Sequence, residues 1–277
     1  MERFGYAITY LPVDKNGKVN EDDLRNAITD KTCLISIMTA NNEIGTIQSI
    51  KDLVKIAKEK NILFHTDAVQ AVGKIPVDVE KLGVDLLSFS GHKLYGPKGI
   101  GVLYLRKGVK IEPLISGSKQ ENDLRAGTEN VLGIAGLGKA ADLAMQRLQQ
   151  NKTIAVLRDK LENEIKNIFP KAKINGDKTD RLPGTLNLQL PGLRGESIVL
   201  AMDKKGIALS SGSACRAGSP KPSSTLLAIG LSEEDAHCSV RFSLGLHTTE
   251  EEIDKTIKSF AEVIDEAKNA VRFVSCR

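Results

Sequence analysis

Short apolar runs alternate with amphipathic stretches over the first half of the chain. The apolar runs predict strands at 6–11, 34–38, 62–67, 84–90 and 101–105. The stretches between them place apolar residues at the spacing of one helical face and predict helices at 21–29, 50–60 and 79–82. This alternation predicts an α/β fold with a mostly parallel sheet and helices packed on both of its faces.

The pattern changes in the second half of the chain, where helical periodicity runs almost unbroken from Val131 to Phe169. After it, the pattern predicts strands at 184–190 and 239–243 and helices at 196–205 and 223–229. A last helix follows, and either Thr248 with Glu251 or Thr249 with Glu252 would form a capping box at its start. We therefore predict a large domain at 1–150 and a smaller α/β domain at 151–277.

Composition and charge narrow the possible functions. The 277 residues are 41% apolar and 27% charged, as is typical of globular proteins. The 39 basic and 35 acidic residues are scattered along the chain, so we expect no nucleic-acid partner. No apolar run reaches about 20 residues and no signal segment opens the chain, so we expect no membrane partner and a cytoplasmic location.

The cysteines are spaced too widely to suggest a disulfide framework or a zinc site. They are Cys33, Cys215, Cys238 and Cys276, and none belongs to a CxxC pair. We therefore expect no bound metal. Cys215 differs from the other three because glycines and serines surround it.

Polar residues follow three successive predicted strands. In open parallel sheets, ligands bind beyond the carboxyl ends of the strands, which form one edge. Taken singly, these residues have ordinary structural roles: an Asn-Asn pair before a glycine forms a turn, an aspartate caps a helix, and a lysine lies at the surface. Their joint placement favours a binding site. The residues are Asn41, Asn42, Glu43, Asp67, Gln70, Ser90, His92 and Lys93.

An acid on one strand end and a lysine on a neighbouring one suit pyridoxal 5'-phosphate (PLP). The aldehyde of this cofactor needs a lysine amine, and its pyridine nitrogen needs a carboxylate to stay protonated. Lys93 and Asp67 match these needs. The phosphate would then lie near His92 and Ser90, and the ring hydroxyl near Gln70 or Asn42.

Six motifs, in chain order, resemble those of the NifS/IscS cysteine desulfurases, which are fold-type-I PLP enzymes with a class-V aminotransferase-like domain. The motifs are NNEIG (41–45), HTDAVQ (65–70), SFSGHKLYGPKGIG (88–101), RAGTEN (125–130), SSGSAC (210–215) and VRFSLG (240–245). The resemblance implies that 1–150 is the PLP-binding domain. It also implies that 151–277 carries the catalytic cysteine loop.

The resemblance assigns roles to individual residues. Lys93 matches the lysine that binds PLP and moves protons at the substrate's α-carbon, and Asp67 matches the partner of the pyridine nitrogen. Arg241 matches the arginine that grips the substrate carboxylate, which suits the fork of a guanidinium. Thr128 matches a residue that reaches the cofactor phosphate of a partner subunit, so the resemblance implies a homodimer.

The resemblance completes the cofactor and sulfur chemistry with the remaining matches. Asn42 and Gln70 match residues near the ring hydroxyl, and Ser90 and His92 match phosphate ligands. Cys215 matches the cysteine that takes sulfur from L-cysteine as a persulfide and leaves L-alanine. The acceptor would be a protein such as an iron-sulfur scaffold, in iron-sulfur cluster assembly or tRNA thiolation.

The chain departs from the family pattern at its N-terminus, where the family is longer. That part supplies a glycine-containing loop for the PLP phosphate and a histidine that stacks on the ring, so we expect the large domain to be N-terminally incomplete. Two alternatives stay open. One is a selenocysteine lyase or related PLP lyase, which need not depend on Cys215. The other is a catalytically silent interaction or sulfur-carrying protein.

Overall fold

The computed structural model describes residues 1–211 and 221–275, with side chains described as far as residue 267. Contacts divide the chain into two compact units. The sheet unit comprises Ile28–Thr39 and Ser49–Leu148, and the C-terminal unit comprises Met1–Ala27, Ala40–Gln48 and Gln149–Arg277. The division into domains at 1–150 and 151–277 stays a prediction.

The α-helices and strands are numbered along the chain. The helices are α1 (Glu21–Ala27), α2 (Ile50–Glu59), α3 (Val79–Leu82), α4 (Val131–Arg147), α5 (Asn151–Ile168), α6 (Gly195–Lys204), α7 (Ser224–Ala228), α8 (Glu233–His237) and α9 (Glu250–Ser275). The strands are β1 (Leu34–Ser36), β2 (Leu63–Asp67), β3 (Leu86–Ser90), β4 (Gly101–Leu105), β5 (Lys173–Ile174), β6 (Thr185–Gln189) and β7 (Ser239–Ser243). Within the described ranges, no helix is both long and apolar enough to cross a membrane.

The sheet unit contains a four-stranded sheet in the order β1-β2-β3-β4. The first three strands are parallel and β4 runs antiparallel to β3, which confirms the predicted mostly parallel sheet. One face is buried through Ile35, Phe64 and Leu87. Helix α2 packs against β2 from this side, because its apolar residues recur along one stripe.

The C-terminal unit contains the antiparallel sheet β5-β6-β7. Its core joins strand residues to the apolar stripes of α5, α6 and α9. The last of these helices starts with one of the two predicted capping boxes: the Thr249 N–H donates to the Glu252 carboxylate, and the Glu252 N–H donates to the Thr249 hydroxyl. These two bonds satisfy N–H groups that the first turn of a helix leaves without partners.

The structure corrects the prediction at three elements. Residues 6–11 are not a strand: Tyr6 and Tyr10 have exposed fractions of 51% and 80%. The apolar run there has the length of a strand, but a strand also needs a pairing neighbour. Strand β5 and helix α8 were not predicted, because each is too short for a periodic pattern.

Hydrogen bonds to the Asp177 side chain order the loop 175–181 in the C-terminal unit. Its Oδ1 accepts hydrogen bonds from the Thr179 N–H, the Thr179 hydroxyl and the Asp180 N–H at 2.8, 3.0 and 2.9 Å. Lys18 Nζ lies 3.4 Å from Oδ2. Burial opposes ionisation of the carboxyl group, but these donors outweigh it and lower the pKa of Asp177 to about 2.

We expect Asp177→Asn to lower the free energy of unfolding by about 2 kcal/mol near neutral pH. The folded pKa lies below the unfolded value of 3.8, so this stabilisation is present above that value and disappears as pH falls towards about 2. Urea unfolding of wild type and variant across this range measures the effect. The exposed Asp142 provides the control Asp142→Asn. A wild-type advantage that persists undiminished at the acid end would contradict the prediction.

Candidate functional site

Two of the predicted strand ends lie side by side in the sheet unit. Strands β2 and β3 are adjacent and parallel, with Asp67 paired to Ser88, so Asp67 and Ser90 end at the same edge. Asp67 is exposed, and its Oδ1 accepts a hydrogen bond from the Val69 N–H at 2.9 Å. Its carboxylate therefore both orders the turn after β2 and faces solvent at the edge where parallel sheets bind ligands.

Lys93 lies on a tightly held turn directly after β3. The chain continues into a 3-10 helix, Gly91–Leu94, in which the first and last residues are buried. The Gly91 N–H donates to the Ile100 carbonyl at 2.9 Å, and a Cβ at Gly91 would lie 2.8 Å from Ile100 Cγ2. Only glycine fits this close approach. The turn therefore fixes the backbone of Lys93 while its side chain is exposed.

The ammonium group of Lys93 has no hydrogen-bond or ion-pair partner among the residues that the structure describes. The residues beside it are polar: Ser90 Oγ and His92 Nδ1 lie 2.9 Å apart, within hydrogen-bond distance. Gln70 Oε1 accepts a hydrogen bond from Lys74 Nζ at 2.7 Å. Thr128 is exposed on the segment before α4. The structure thus places Asp67, Ser90, His92 and Lys93 at or directly after the ends of the neighbouring strands β2 and β3.

His65 has a structural role in this sheet. Its Nδ1 lies 2.8 Å from Ser36 Oγ on β1, and its Nε2 lies 3.1 Å from Ser88 Oγ on β3. Burial lowers the pKa of the His65 imidazole below its usual range, and the Asp67 carboxylate opposes that shift. A neutral imidazole satisfied by two hydroxyls links three strands, which accounts for this histidine without assigning it a reaction.

Asn42 and Arg241 lie in the C-terminal unit, where they contact each other. Arg241 Nη1 donates to the Asn42 carbonyl at 2.9 Å. The backbone of Arg241 also pairs with that of Ser210 as an isolated antiparallel bridge. Asn41 closes the turn at Asn42, because its Oδ1 accepts hydrogen bonds from the N–H groups of Glu43 and Ile44. Arg241 is thereby held beside Ser210 and the turn at Asn42. Cys215 lies outside the described residues.

Glu43 has a structural role that the strand-end pattern did not assign. Its side chain is 5% exposed, and its carboxylate accepts hydrogen bonds from the Ser223 hydroxyl at 2.5 Å and the Thr225 hydroxyl at 3.3 Å. Its carbonyl accepts from Asn187 Nδ2 at 3.2 Å. The only signal in the sequence is an acidic residue between an Asn-Asn pair and an apolar one. Glu43 therefore fixes the start of α7 to the 41–45 turn.

We expect Glu43→Ala to lower the free energy of unfolding by about 2–3 kcal/mol, because it leaves hydroxyls without their charged acceptor. Glu43→Gln retains an acceptor and should cost less. Urea unfolding of Glu43→Ala, Ser223→Ala and the double variant measures the coupling, which we expect to be about 1 kcal/mol. Strictly additive single-variant effects would show that the Glu43–Ser223 contact contributes no stability.

The residues at the sheet edge fit a cofactor with an aldehyde, a pyridine ring and a phosphate. Lys93 supplies an exposed amine, Asp67 a carboxylate, and Ser90 and His92 a hydroxyl and an imidazole. An amine reacts with an aldehyde, a carboxylate keeps a pyridine nitrogen protonated, and hydroxyl and imidazole groups donate hydrogen bonds to phosphate oxygens. The chemical groups that these residues supply therefore match the groups of PLP.

Comparison with known proteins shows that the chain is similar to one protein family and to cysteine desulfurases. The family described as Aminotransferase class-V matches residues 1–256. The chain is 52% identical over 270 residues to "Cysteine desulfurase IscS" of Methanosarcina thermophila, covering 97% of this chain and 67% of the relative. It is 46% identical over 266 residues to "Cysteine desulfurase NifS" of Azotobacter vinelandii, covering 96% and 66%.

A solved structure extends the similarity to the fold. The NifS-like protein from Rickettsia africae superposes with a TM-score of 0.86 at 33% sequence identity, covering 95% of this chain and 72% of that one. The chain therefore spans about two thirds of the length of the curated relatives that it matches.

Proposed function

The chain belongs to the class-V aminotransferase family and, within it, to the NifS/IscS cysteine desulfurases, and on this premise we propose that it moves sulfur from L-cysteine to Cys215 and releases L-alanine. The family depends on PLP. The observation that supports the proposal best is the exposed Lys93 amine on a fixed turn, at the edge where the Asp67 carboxylate also ends.

We propose that residues of the sheet unit hold the cofactor. Lys93 Nζ would hold the cofactor covalently and would carry a proton to and from the substrate's α-carbon. The Asp67 carboxylate would keep the pyridine nitrogen protonated, and Ser90 and His92 would bind the phosphate. When bound, PLP supplies an electron sink for the pair of electrons left at the substrate's α-carbon. Gln70 is proposed to contact the ring hydroxyl.

We propose that residues of the C-terminal unit serve the substrate and the sulfur. The Arg241 guanidinium grips the substrate carboxylate, and the bond from its Nη1 to the Asn42 carbonyl helps to orient it. Asn42 is also proposed to contact the ring hydroxyl through its side chain. The Cys215 thiolate attacks the sulfur of L-cysteine, an S–S bond forms and the C–S bond breaks. The carbon skeleton keeps that electron pair, takes up a proton and leaves as L-alanine.

The finer assignments concern assembly and partners. We propose a homodimer in which Thr128 reaches the cofactor phosphate of the partner subunit, because Thr128 is exposed and matches the family motif RAGTEN. We propose that the persulfide passes to a protein such as an iron-sulfur scaffold, for iron-sulfur cluster assembly or tRNA thiolation. A cytoplasmic location stays a prediction.

The experiment that tests this function mixes the purified chain with PLP and records the visible spectrum. We expect the absorbance band of protein-bound PLP, fixation of the cofactor to Lys93 by borohydride, and release of sulfide and alanine from L-cysteine in the presence of a thiol. Mass spectrometry locates the modified lysine. A chain that neither gains the band nor fixes the cofactor would instead be a sulfur-carrying or interaction protein.

A further inference from the structure

One face of the sheet β5-β6-β7 carries buried polar side chains. Every second residue of β6 and β7 belongs to the apolar core of the C-terminal unit: Leu186, Leu188, Val240 and Phe242. The residues between them point to the opposite face, because successive side chains of a strand alternate. Asn187 and Ser239 lie on that face and are each 1% exposed. Their polar groups therefore depend on hydrogen bonds within the protein.

The side-chain amide of Asn187 forms hydrogen bonds at both of its ends. Its Oδ1 accepts from Asn175 Nδ2 at 2.8 Å, and its Nδ2 donates to the Glu43 carbonyl at 3.2 Å. Asn175 is 4% exposed, and its Nδ2 also donates to Ser239 Oγ at 3.1 Å. The Asn175 N–H donates to the Asn187 carbonyl at 3.0 Å. The orientation of the Asn187 amide is therefore fixed.

Asn187 and Arg241 bind consecutive carbonyl groups of the 41–45 turn. Asn187 binds the carbonyl of Glu43, and Arg241 Nη1 donates to the carbonyl of Asn42 at 2.9 Å. The two residues are also directly opposite each other in the pairing of β6 with β7. Directly opposite residues of antiparallel strands have their side chains on the same face, with Cβ atoms about 5 Å apart. One cross-strand pair thus contacts one short stretch of the turn.

We propose that Asn187 is a positioning residue for Arg241. Its amide fixes the 41–45 turn against β6, and the Asn42 carbonyl of that turn fixes the Arg241 guanidinium. A guanidinium binds a carboxylate best through two parallel hydrogen bonds, so its orientation matters. Asn187 itself does not touch the substrate. This inference rests on the proposed function, because the grip of Arg241 on the substrate carboxylate is part of that proposal.

The same strand provides a control for a purely structural role. Gln189 lies on the same face of β6 as Asn187 and is 5% exposed. Its Nε2 donates to Asp235 Oδ1 at 2.6 Å, and Asp235 belongs to α8 rather than to the 41–45 turn. Gln189→Ala therefore removes a buried amide of the same strand without removing a contact to the turn.

The first measurement is the turnover of L-cysteine by the PLP-loaded protein. We expect Asn187→Ala to raise KM at least about tenfold and to leave kcat within about threefold, because the substrate carboxylate binds alike before and during the reaction. Asn187→Asp keeps the size of the side chain but has no donor for the Glu43 carbonyl, so its KM should rise as well. Gln189→Ala should keep KM within about twofold of wild type.

The second measurement needs neither PLP nor L-cysteine. Phenylglyoxal modifies accessible guanidinium groups, and peptide mass spectrometry gives the rate at each arginine. Arg241 should react about fivefold faster in Asn187→Ala than in wild type, which is the factor that one weakened hydrogen bond gives. The exposed Arg194 is the internal standard. If the Asn187 variants fail to fold, Asn175→Ala removes the bond that orients the amide and should raise both KM and this rate.

Three results would overturn the proposal. The first is that Asn187→Ala and Gln189→Ala change KM and the modification of Arg241 alike. The second is a modification rate in Asn187→Ala equal to that of wild type, and the third is faster modification with an unchanged KM. A wild-type protein that does not turn over L-cysteine would instead contradict the proposed function. The modification rates would then still decide whether Asn187 holds Arg241.

Discussion

Lys93→Ala is expected to abolish both the covalent retention of PLP and the release of sulfide from L-cysteine. The variant removes the amine that attaches the cofactor and the group that moves protons at the substrate's α-carbon. We expect turnover to fall by about a thousandfold or more. Because the Lys93 side chain is exposed, the free energy of unfolding should change by less than about 0.5 kcal/mol. Borohydride fixation with peptide mass spectrometry and a sulfide assay measure the two losses.

The matched control for Lys93 is Lys98→Ala. Lys98 is an exposed lysine of the same motif, so its removal changes charge and surface in a similar way. The cofactor content and turnover of Lys98→Ala should stay within about twofold of wild type if Lys93 alone is the attachment point. Lys93→Arg keeps the positive charge and should still fail, because a guanidinium cannot be deprotonated in a protein. Fixation of PLP to another lysine in Lys93→Ala would refute the assignment.

Cys215→Ala is expected to stop sulfur transfer while leaving PLP bound. The thiolate is the nucleophile that takes sulfur, and alanine has no atom that can replace it. Turnover of L-cysteine should fall by about a hundredfold or more, whereas the visible spectrum of bound PLP should not change. The measurement is sulfide and alanine production, with persulfide detection by mass spectrometry of the peptide containing residue 215.

The control for Cys215 is Cys33→Ala, which removes an exposed free thiol elsewhere in the chain and should leave the activity as in wild type. The same pair of variants separates the proposed function from a selenocysteine lyase. The lyase would be favoured by two results together. Cys215→Ala would leave alanine release from selenocysteine unaffected, and the wild-type protein would show negligible turnover of L-cysteine. Equal losses in both cysteine variants would point to a general effect of thiol removal.

The location of the proposed cofactor residues at a sheet edge could be predicted because it depends on local patterns. An apolar run sets the end of a strand, and the next polar residues lie at the sheet edge; Asp67 and Ser90 are there. The capping box at Thr249 was one of two that residue spacing predicted, and the structure contains it. The same kind of pattern failed at 6–11, because an apolar run does not show whether a pairing strand exists.

The sequence alone determined the α/β class, the strands that end in polar residues and the motifs that carry Lys93, Asp67, Thr128, Cys215 and Arg241. Only the tertiary structure showed that Glu43 is buried against Ser223, 180 positions away, and that leucines on strands β1, β2 and β4 are exposed. The physical reason is the distance along the sequence over which each effect acts. Side-chain periodicity and turn chemistry act over a few residues, whereas burial depends on which distant segments fold against a given side chain.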